Sequence, residues 1–288
     1  MTSYNPKDWI SFIFKLSKAD TFRKLIPMML IIGTYSAVIA YLEMVYWKLP
    51  EDSHVKNISI MHSMLGFVIS LLLAYRTNTA YDRWWEGRKI WGGLVNNSRN
   101  LAIKINAMII NDTDRVFFKK MIPLYASVLS SHLNNNDTSK QLFDDVDLEI
   151  DYQKHLPNQI ANNLFMKVNN LYLSKKISGD QLIVINAELQ SFTDTCGACE
   201  RIKNTPIPYS YSAFIKKFIF IYVLTLPFGY VFSLGYFVIP VVVFIFYVLA
   251  SLELIAEEIE DPFGEDANDL PTKKIAENIK KNVEEILN

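Results

Sequence analysis

An apolar run without a single Asp, Glu, Lys or Arg, residues 57–75, ends abruptly in the string R-T-N-T-A-Y-D-R-W-W-E-G-R-K-I-W-G at residues 76–92. A run of about 19 residues is long enough to cross a bilayer as a helix. Arg, Trp and Tyr crowd its far side, as they do where a helix leaves a membrane on the cytoplasmic side. The run also carries Ser59, His62, Ser63, Gly66, Ser70 and Ala74. At about 100° per residue these form one small, polar stripe. Ile58, Met61, Met64, Leu65, Val68, Leu71 and Leu72 fill the other faces. Such a stripe faces either another helix or water.

The remaining composition fits a membrane protein with a substantial polar part: 50% of the 288 residues are hydrophobic, yet 20% are charged. A formal net charge of −1 gives no footprint for nucleic acid. The two cysteines, Cys196 and Cys199, are too few for a disulfide framework. Their C-G-A-C spacing admits a redox pair or half a metal site. No second Cys pair or nearby His completes a zinc set, so two small residues packed near a helix end is the favoured reading. At the N-terminus, Trp9, Ile10, Phe12, Ile13, Phe14 and Leu16 alternate with Lys7, Lys15 and Lys18. That pattern suits an amphipathic helix, lying on a membrane surface or packed on the protein itself.

The chain divides into a 1–24 amphipathic segment, two spans within 25–75, a polar helical region at 76–217, two further spans in 218–252, and an acidic turn and helix at 253–288. Helical spacing in the polar region is visible at Leu101, Ile105, Met108 and Ile109, and at Leu182, Ile185, Leu189 and Phe192. Its polar breaks lie near Asn111, Asn134 and Asp144. Residues 218–252 are uncharged, too long for one span and slightly short for two. Pro227, Gly229, Gly235 and Pro240 predict kinked or partly unwound helices there, tolerated at membrane depth only beside protein or a water-filled cavity. Lys and Arg cluster before the first span, after the second and before the third (Arg201, Lys203, Lys216, Lys217). The positive-inside rule then puts both termini and the polar middle in the cytoplasm, with four spans. Ile275, Ile279, Val283 and Ile286 share one face of the last helix, which should dock on the polar layer or on a neighbouring subunit.

No enzyme template is present: no G-x-S-x-G, no Gly-rich phosphate loop, no H-E-x-x-H. The histidines, His54, His62, His132 and His155, are scattered. His62, inside a span, is either a functional group or a hydrogen-bond partner for a neighbouring helix. Glu258, Asp261, Asp266 and Asp269 offer hard oxygen ligands around a Pro-Phe-Gly turn, without EF-hand spacing.

L-G-F at 65–67, the string at 76–92, C-E-R-I-K-N-T-P-I-P at 199–208 and I-E-D-P-F-G-E-D at 259–266 together resemble the bestrophin family, in its bacterial branch. The resemblance runs nearly end to end. It implies an all-α membrane protein with four transmembrane helices per subunit and a cytoplasmic helical layer, pentameric around a central pore lined by the second span. It also implies a neck at Ser59, Ser63 and Phe67, spaced four apart, with Gly66, Ser70 and Ala74 continuing the pore stripe. The family usually presents three bulky apolar residues at the neck, a dewetting constriction. Here only Phe67 remains, which predicts a wetter upper neck. A second, cytoplasmic constriction falls best on Ile177. The family's calcium clasp maps onto Asp261, Asp266 and Asp269 with Glu258 near a fourth position. Calcium is thus allowed at the acidic turn, no cofactor is required, and calcium regulation is not expected in the bacterial branch. Arg76, Asn78, Tyr81, Asp82, Arg83, Trp84, Trp85 and Glu86 are expected to be architectural, with Arg and Asp pairs buried between subunits and Trp rings filling the interface.

The resemblance thus implies a homopentameric channel in the bacterial inner membrane. It passes small ions passively, chloride and other anions as in animal members or monovalent cations as in the bacterial branch. Asp180, Glu188 and Asp194 would favour cations if they face the lower pore. The rival readings are a secondary carrier using the broken third and fourth spans, and a membrane-anchored scaffold or signalling subunit. The carrier needs an inverted repeat, and none is visible.

Overall fold

The computed structural model describes residues 21–48, 57–134, 142–143 and 149–288. The expected amphipathic segment up to residue 20, the expected turn at 49–56 with His54, and most of the expected breaks near Asn134 and Asp144 lie outside them. Among the described residues all regular structure is helical. In chain order it comprises α1 (Thr21–Tyr41), a π-helical turn (Leu42–Trp47), α2 (Ile58–Met108), α3 (Asp112–Leu133), α4 (Leu156–Leu173), α5 (Gly179–Asn204), α6 (Tyr209–Leu234), α7 (Val238–Glu260) and α8 (Thr272–Ile286).

Three continuous helical stretches are long and apolar enough to cross a membrane: Thr21–Trp47, Ile58–Met108 and Tyr209–Glu260. The third is a hairpin, because Gly235 turns at φ +53°, a left-handed value that side chains disfavour. Lys216 of α6 pairs with Glu257 of α7 at 2.9 Å, so the two helices run antiparallel. The expected unwinding does not occur. Pro240 lies in the first turn of α7, where its missing N–H costs nothing, and Pro227 lies within a continuous α6. Each helix outruns the uncharged 218–252 stretch and carries its charges at its ends, which removes the apparent shortage of length. The observation that favoured a carrier goes with it.

α1 lies antiparallel to α7, with Thr21 Oγ1 donating to Ser251 Oγ at 3.0 Å. α2 lies antiparallel to α6, with Tyr211 Oη donating to the Leu72 carbonyl at 3.3 Å near one end. His62 meets Thr225 near the other. Ile32, Ala40, Ile69, Leu73, Ile215, Val223, Val238 and Val242 form the core of this apolar layer.

The 75/76 boundary falls in mid-helix. Nothing between Arg76 and Ile90 stops a helix, and α2, 51 residues long in all, continues into the polar layer as far as Met108. At 1.5 Å per residue it is about 75 Å long, more than twice a hydrocarbon core. Its second half, through Trp91, Leu94, Leu101 and Ile105, packs against α3, α5 and α8, and α4, held by α3 and α5, completes this second core. α5 starts in a capping box, Ser178 with Gln181. α8 docks Ala276, Ile279 and Val283 onto this same layer, with Thr272 and Ser130 hydroxyls 2.7 Å apart.

Candidate ion pathway and its supports

The apolar half of α2 has two faces. His62, Ile69, Leu73, Arg76 and Ala80 are buried against the chain. Ser63, Phe67, Ser70 and Ala74 are exposed, together with Ile60, Met64 and Leu71. Only 17% of the most apolar window of α2 is covered by the chain itself, against 33% in the α6–α7 hairpin. The predicted single stripe is therefore divided. His62 Nδ1 donates to the Ile58 carbonyl at 2.9 Å, and Nε2 lies 2.9 Å from Thr225 Oγ1. A carbonyl only accepts, so the proton is on Nδ1 and the ring bonds a neighbouring helix. Gly66 is also on the α6 side: a Cβ there would stand 2.9 Å from Tyr222 Oη. Ser59 is half-buried where a Cβ on Gly229 would meet its amide nitrogen at 2.9 Å. Ser63 and Ser70 donate to the carbonyls of Ser59 and Gly66 at 3.1 and 2.7 Å. Each hydroxyl has spent its one proton and turns lone pairs outward. Phe67 is 72% exposed and projects from the open face.

At the edge of the apolar layer, Arg76 is buried and donates to Glu260 Oε2 at 2.7 Å, with Glu253 Oε1 3.6 Å from its Nε. Glu260 Oε1 accepts the Ile207 N–H at 2.6 Å. Arg83 donates to the carbonyls of Glu260, Thr205 and Ile202. Trp84 Nε1 donates to the Asn268 carbonyl at 3.0 Å, and Arg201 pairs with Glu86 at 2.5 Å. These residues bolt α2 to the α5–α6 link and to the end of α7. The Arg contacts expected between subunits are made inside the chain, because the link 205–208 and the end of α7 supply carbonyls and carboxylates at the right height. Asn78, Tyr81, Asp82 and Trp85 remain exposed, and Tyr81 stacks on Trp85 with centroids 6.5 Å apart.

Ile177 does not face a lumen. It is 4% exposed, in the core beneath the start of α5, since the turn after α4 folds it inward. Among the apolar side chains left open nearby are Ile183, 73% exposed on the first turns of α5, and Leu173 at the end of α4. Asp180 and Asp194 are exposed, whereas Glu188 is clasped by Lys104 at 2.6 Å and contributes no free charge.

In the acidic turn, Glu258 takes Lys24 at 2.5 Å on one oxygen and the Asn268 amide at 2.7 Å on the other. Asp261 accepts from Phe263 N at 3.2 Å, and Asp269 from Asp266 N at 2.5 Å. Burial first, then the neighbouring carboxylates, raises the Asp269 carboxyl to about 7. Asp269 Oδ1 is buried without a hydrogen-bond partner, and an ion that used Glu258 would have to displace Lys24 from it. Cys196 and Cys199 are free, buried thiols, pushed up to about 12 by burial, which keeps them inert.

One cluster escaped the sequence reading. His132 and His155 both place Nε2 on Glu200 Oε1, at 2.7 and 2.6 Å. They precede Glu200 by 68 and 45 residues, so no spacing signature exists to find them.

Comparison with known proteins agrees with this architecture. The family model described as bacterial/fungal bestrophin protein matches residues 1–285. A voltage-dependent anion channel-forming protein of Nostoc sp. is 34% identical over 230 residues, 77% of this chain and 75% of that one. One from Escherichia coli K12 is 30% identical over 238 residues, 80% and 78% of the two chains. The crystal structure of a bacterial bestrophin homologue variant from Klebsiella pneumoniae superposes with a TM-score of 0.83 at 25% identity, covering 92% of this chain and 99% of that one.

Proposed function

Because this chain belongs to the bacterial/fungal bestrophin family, we propose that it is a homopentameric ion channel whose single axial pore is lined by the open face of α2. The observation that carries the reading is that face. It is the least covered of the apolar helical surfaces, and it combines serine oxygens with one large aromatic ring.

In this reading five copies of Phe67 form the apolar ring of the neck. Five bulky rings exclude water when close together, and water exclusion blocks an ion without a plug. One helical turn above, Ser63 supplies hydroxyl oxygens that keep the approach wet, with Ser59 half-buried above it and Ser70 and Ala74 widening the path below. Ile183, not Ile177, supplies the second apolar ring, flanked by Asp180. The polar layer and both termini lie in the cytoplasm, and the protein spans the inner membrane several times. Passage is electrodiffusion of small monovalent ions and needs no resident cofactor and no catalysis. The names of the curated relatives support an ion channel.

The test is the reversal potential of purified protein in a planar bilayer under a salt gradient, for wild type and Phe67→Ala. We expect a current whose reversal potential follows one ion's equilibrium potential and thereby assigns its sign, with a larger unitary conductance in Phe67→Ala. Absence of current from protein shown to be pentameric would defeat the channel. An unchanged conductance in Phe67→Ala would remove Phe67 from the neck.

A further inference from the structure

We propose that His132, His155 and Glu200 form a binding site for a divalent first-row transition-metal ion, zinc by preference, on the polar layer away from the α2 pathway. His132 lies in the last turn of α3, His155 is the N-cap of α4, and Glu200 lies near the end of α5. Three separate elements thus bring one ligand atom each to the same point. Those atoms all lie within 4.8 Å of one another, the one such group of His, Cys, Asp and Glu among the described residues.

The geometry suits a small ion. The two imidazole rings stand 4.6 Å apart at 61°, so their Nε2 atoms converge on one oxygen rather than stack. Ligands at about 2.0–2.2 Å around a tetrahedral zinc lie about 3.3 Å from each other. The present 2.6 and 2.7 Å contacts need to open by well under 1 Å, a small rotamer adjustment. All three side chains are about one third exposed, so an ion can enter and water can complete its shell.

The donor set selects the class of ion. Two imidazoles and one carboxylate suit zinc and its neighbours, whereas calcium and magnesium demand oxygen ligands. Cys196 and Cys199 are buried in the core while Glu200 reaches the surface, so no thiolate joins the set. Binding has a local cost. His155 Nδ1 accepts the Asn158 N–H at 3.2 Å as the cap of α4, so its Nε2 carries the ring proton. An ion on Nε2 sends that proton to Nδ1, which can then no longer accept the Asn158 N–H, so binding loosens the cap. When bound, the ion ties the end of α3 and the first turn of α4 to α5.

Tag-free, full-length protein in detergent, stripped with chelator and dialysed, is titrated with Co²⁺ as a spectroscopic stand-in, followed by displacement with Zn²⁺. We expect the visible ligand-field bands of tetrahedral Co²⁺ at one equivalent per chain, removed by Zn²⁺ and persisting in the Cys196→Ser/Cys199→Ser double variant. Zinc affinity should drop at least tenfold in His132→Ala and in His155→Asn. The second variant keeps a cap acceptor, so its fold is protected. No bands in wild type, bands that survive in His155→Asn, or bands lost with the cysteines would each overturn the proposal. None of these readouts depends on ion flux, so the site and the channel stand or fall separately.

Discussion

Arg76 is buried at the edge of the apolar layer, and its charge is balanced by Glu260 at 2.7 Å and Glu253 at 3.6 Å. Neither oxygen of Glu253 has a hydrogen-bond partner, so it depends on Arg76 for compensation. Arg76→Met is expected to destabilise the fold by about 3–5 kcal/mol, because it strands the buried Glu253 carboxylate and removes the cation beside Glu260. Thermal unfolding in detergent would read this as a clear loss of Tm, and an unchanged Tm would show the cluster to be slack. Ser63 makes the opposite case, an exposed residue whose replacement should spare the fold. Ser63→Leu places a second apolar ring beside Phe67, and the expected outcome is a several-fold smaller single-channel current at unchanged Tm. The sequence showed Arg76 and Ser63 plainly, one as an abrupt charge and the other as a hydroxyl in an apolar run. It did not show that His62 and Gly66 turn toward α6, since periodicity gives an angle and only the neighbouring helix says which angle is covered. Ile177 was misplaced for the same reason: one apolar residue ahead of a helix suits a core as well as a lumen.

At the scale of elements, helix–helix approach is set by a few contacts. Gly229 lets α6 close on the first turn of α2, where any Cβ would press within 2.9 Å of the Ser59 amide. Gly229→Leu should cost about 1–3 kcal/mol by overpacking and should also shift the top of α2, altering conductance as well as Tm. A variant with lowered Tm and wild-type current would uncouple that contact from the pathway. In the polar layer, Asp114 in the first turn of α3 holds Lys167 of α4 at 2.7 Å and Lys176 beyond it at 2.6 Å. Burial alone would raise its carboxyl, but the two ammonium groups prevail and hold it below the usual range. A depressed carboxyl stabilises the fold above its unfolded value of about 4, and that stability is lost as pH falls through the lower folded value. Asp114→Asn should flatten this part of the acid limb in a Tm series from neutral to strongly acid pH. An identical acid limb in both proteins would refute the assignment. The spans and the α8 face were legible because length and period are written locally. The prolines were not, because Pro240 reads as a breaker until its helix is seen to begin two residues earlier.

The whole molecule is two layers threaded by one helix, and the face that α2 leaves open asks for partners. Native mass spectrometry in detergent is expected to give five chains per particle. A monomer as the sole species would leave the α2 face to lipid and end the pore. The long α2 has a mechanical meaning too. It is a rigid rod held near Arg76 and Arg83, with an arm of about 14 Å to Phe67 and one of about 48 Å to Met108. A rod gripped there is a lever with its fulcrum at the membrane edge. A sideways shift of about 2 Å at the far end becomes an opposite shift of roughly 0.6 Å at the Phe67 ring. Because the helix is continuous, whatever leans on the polar layer is felt, scaled down a little over threefold and reversed, at Phe67.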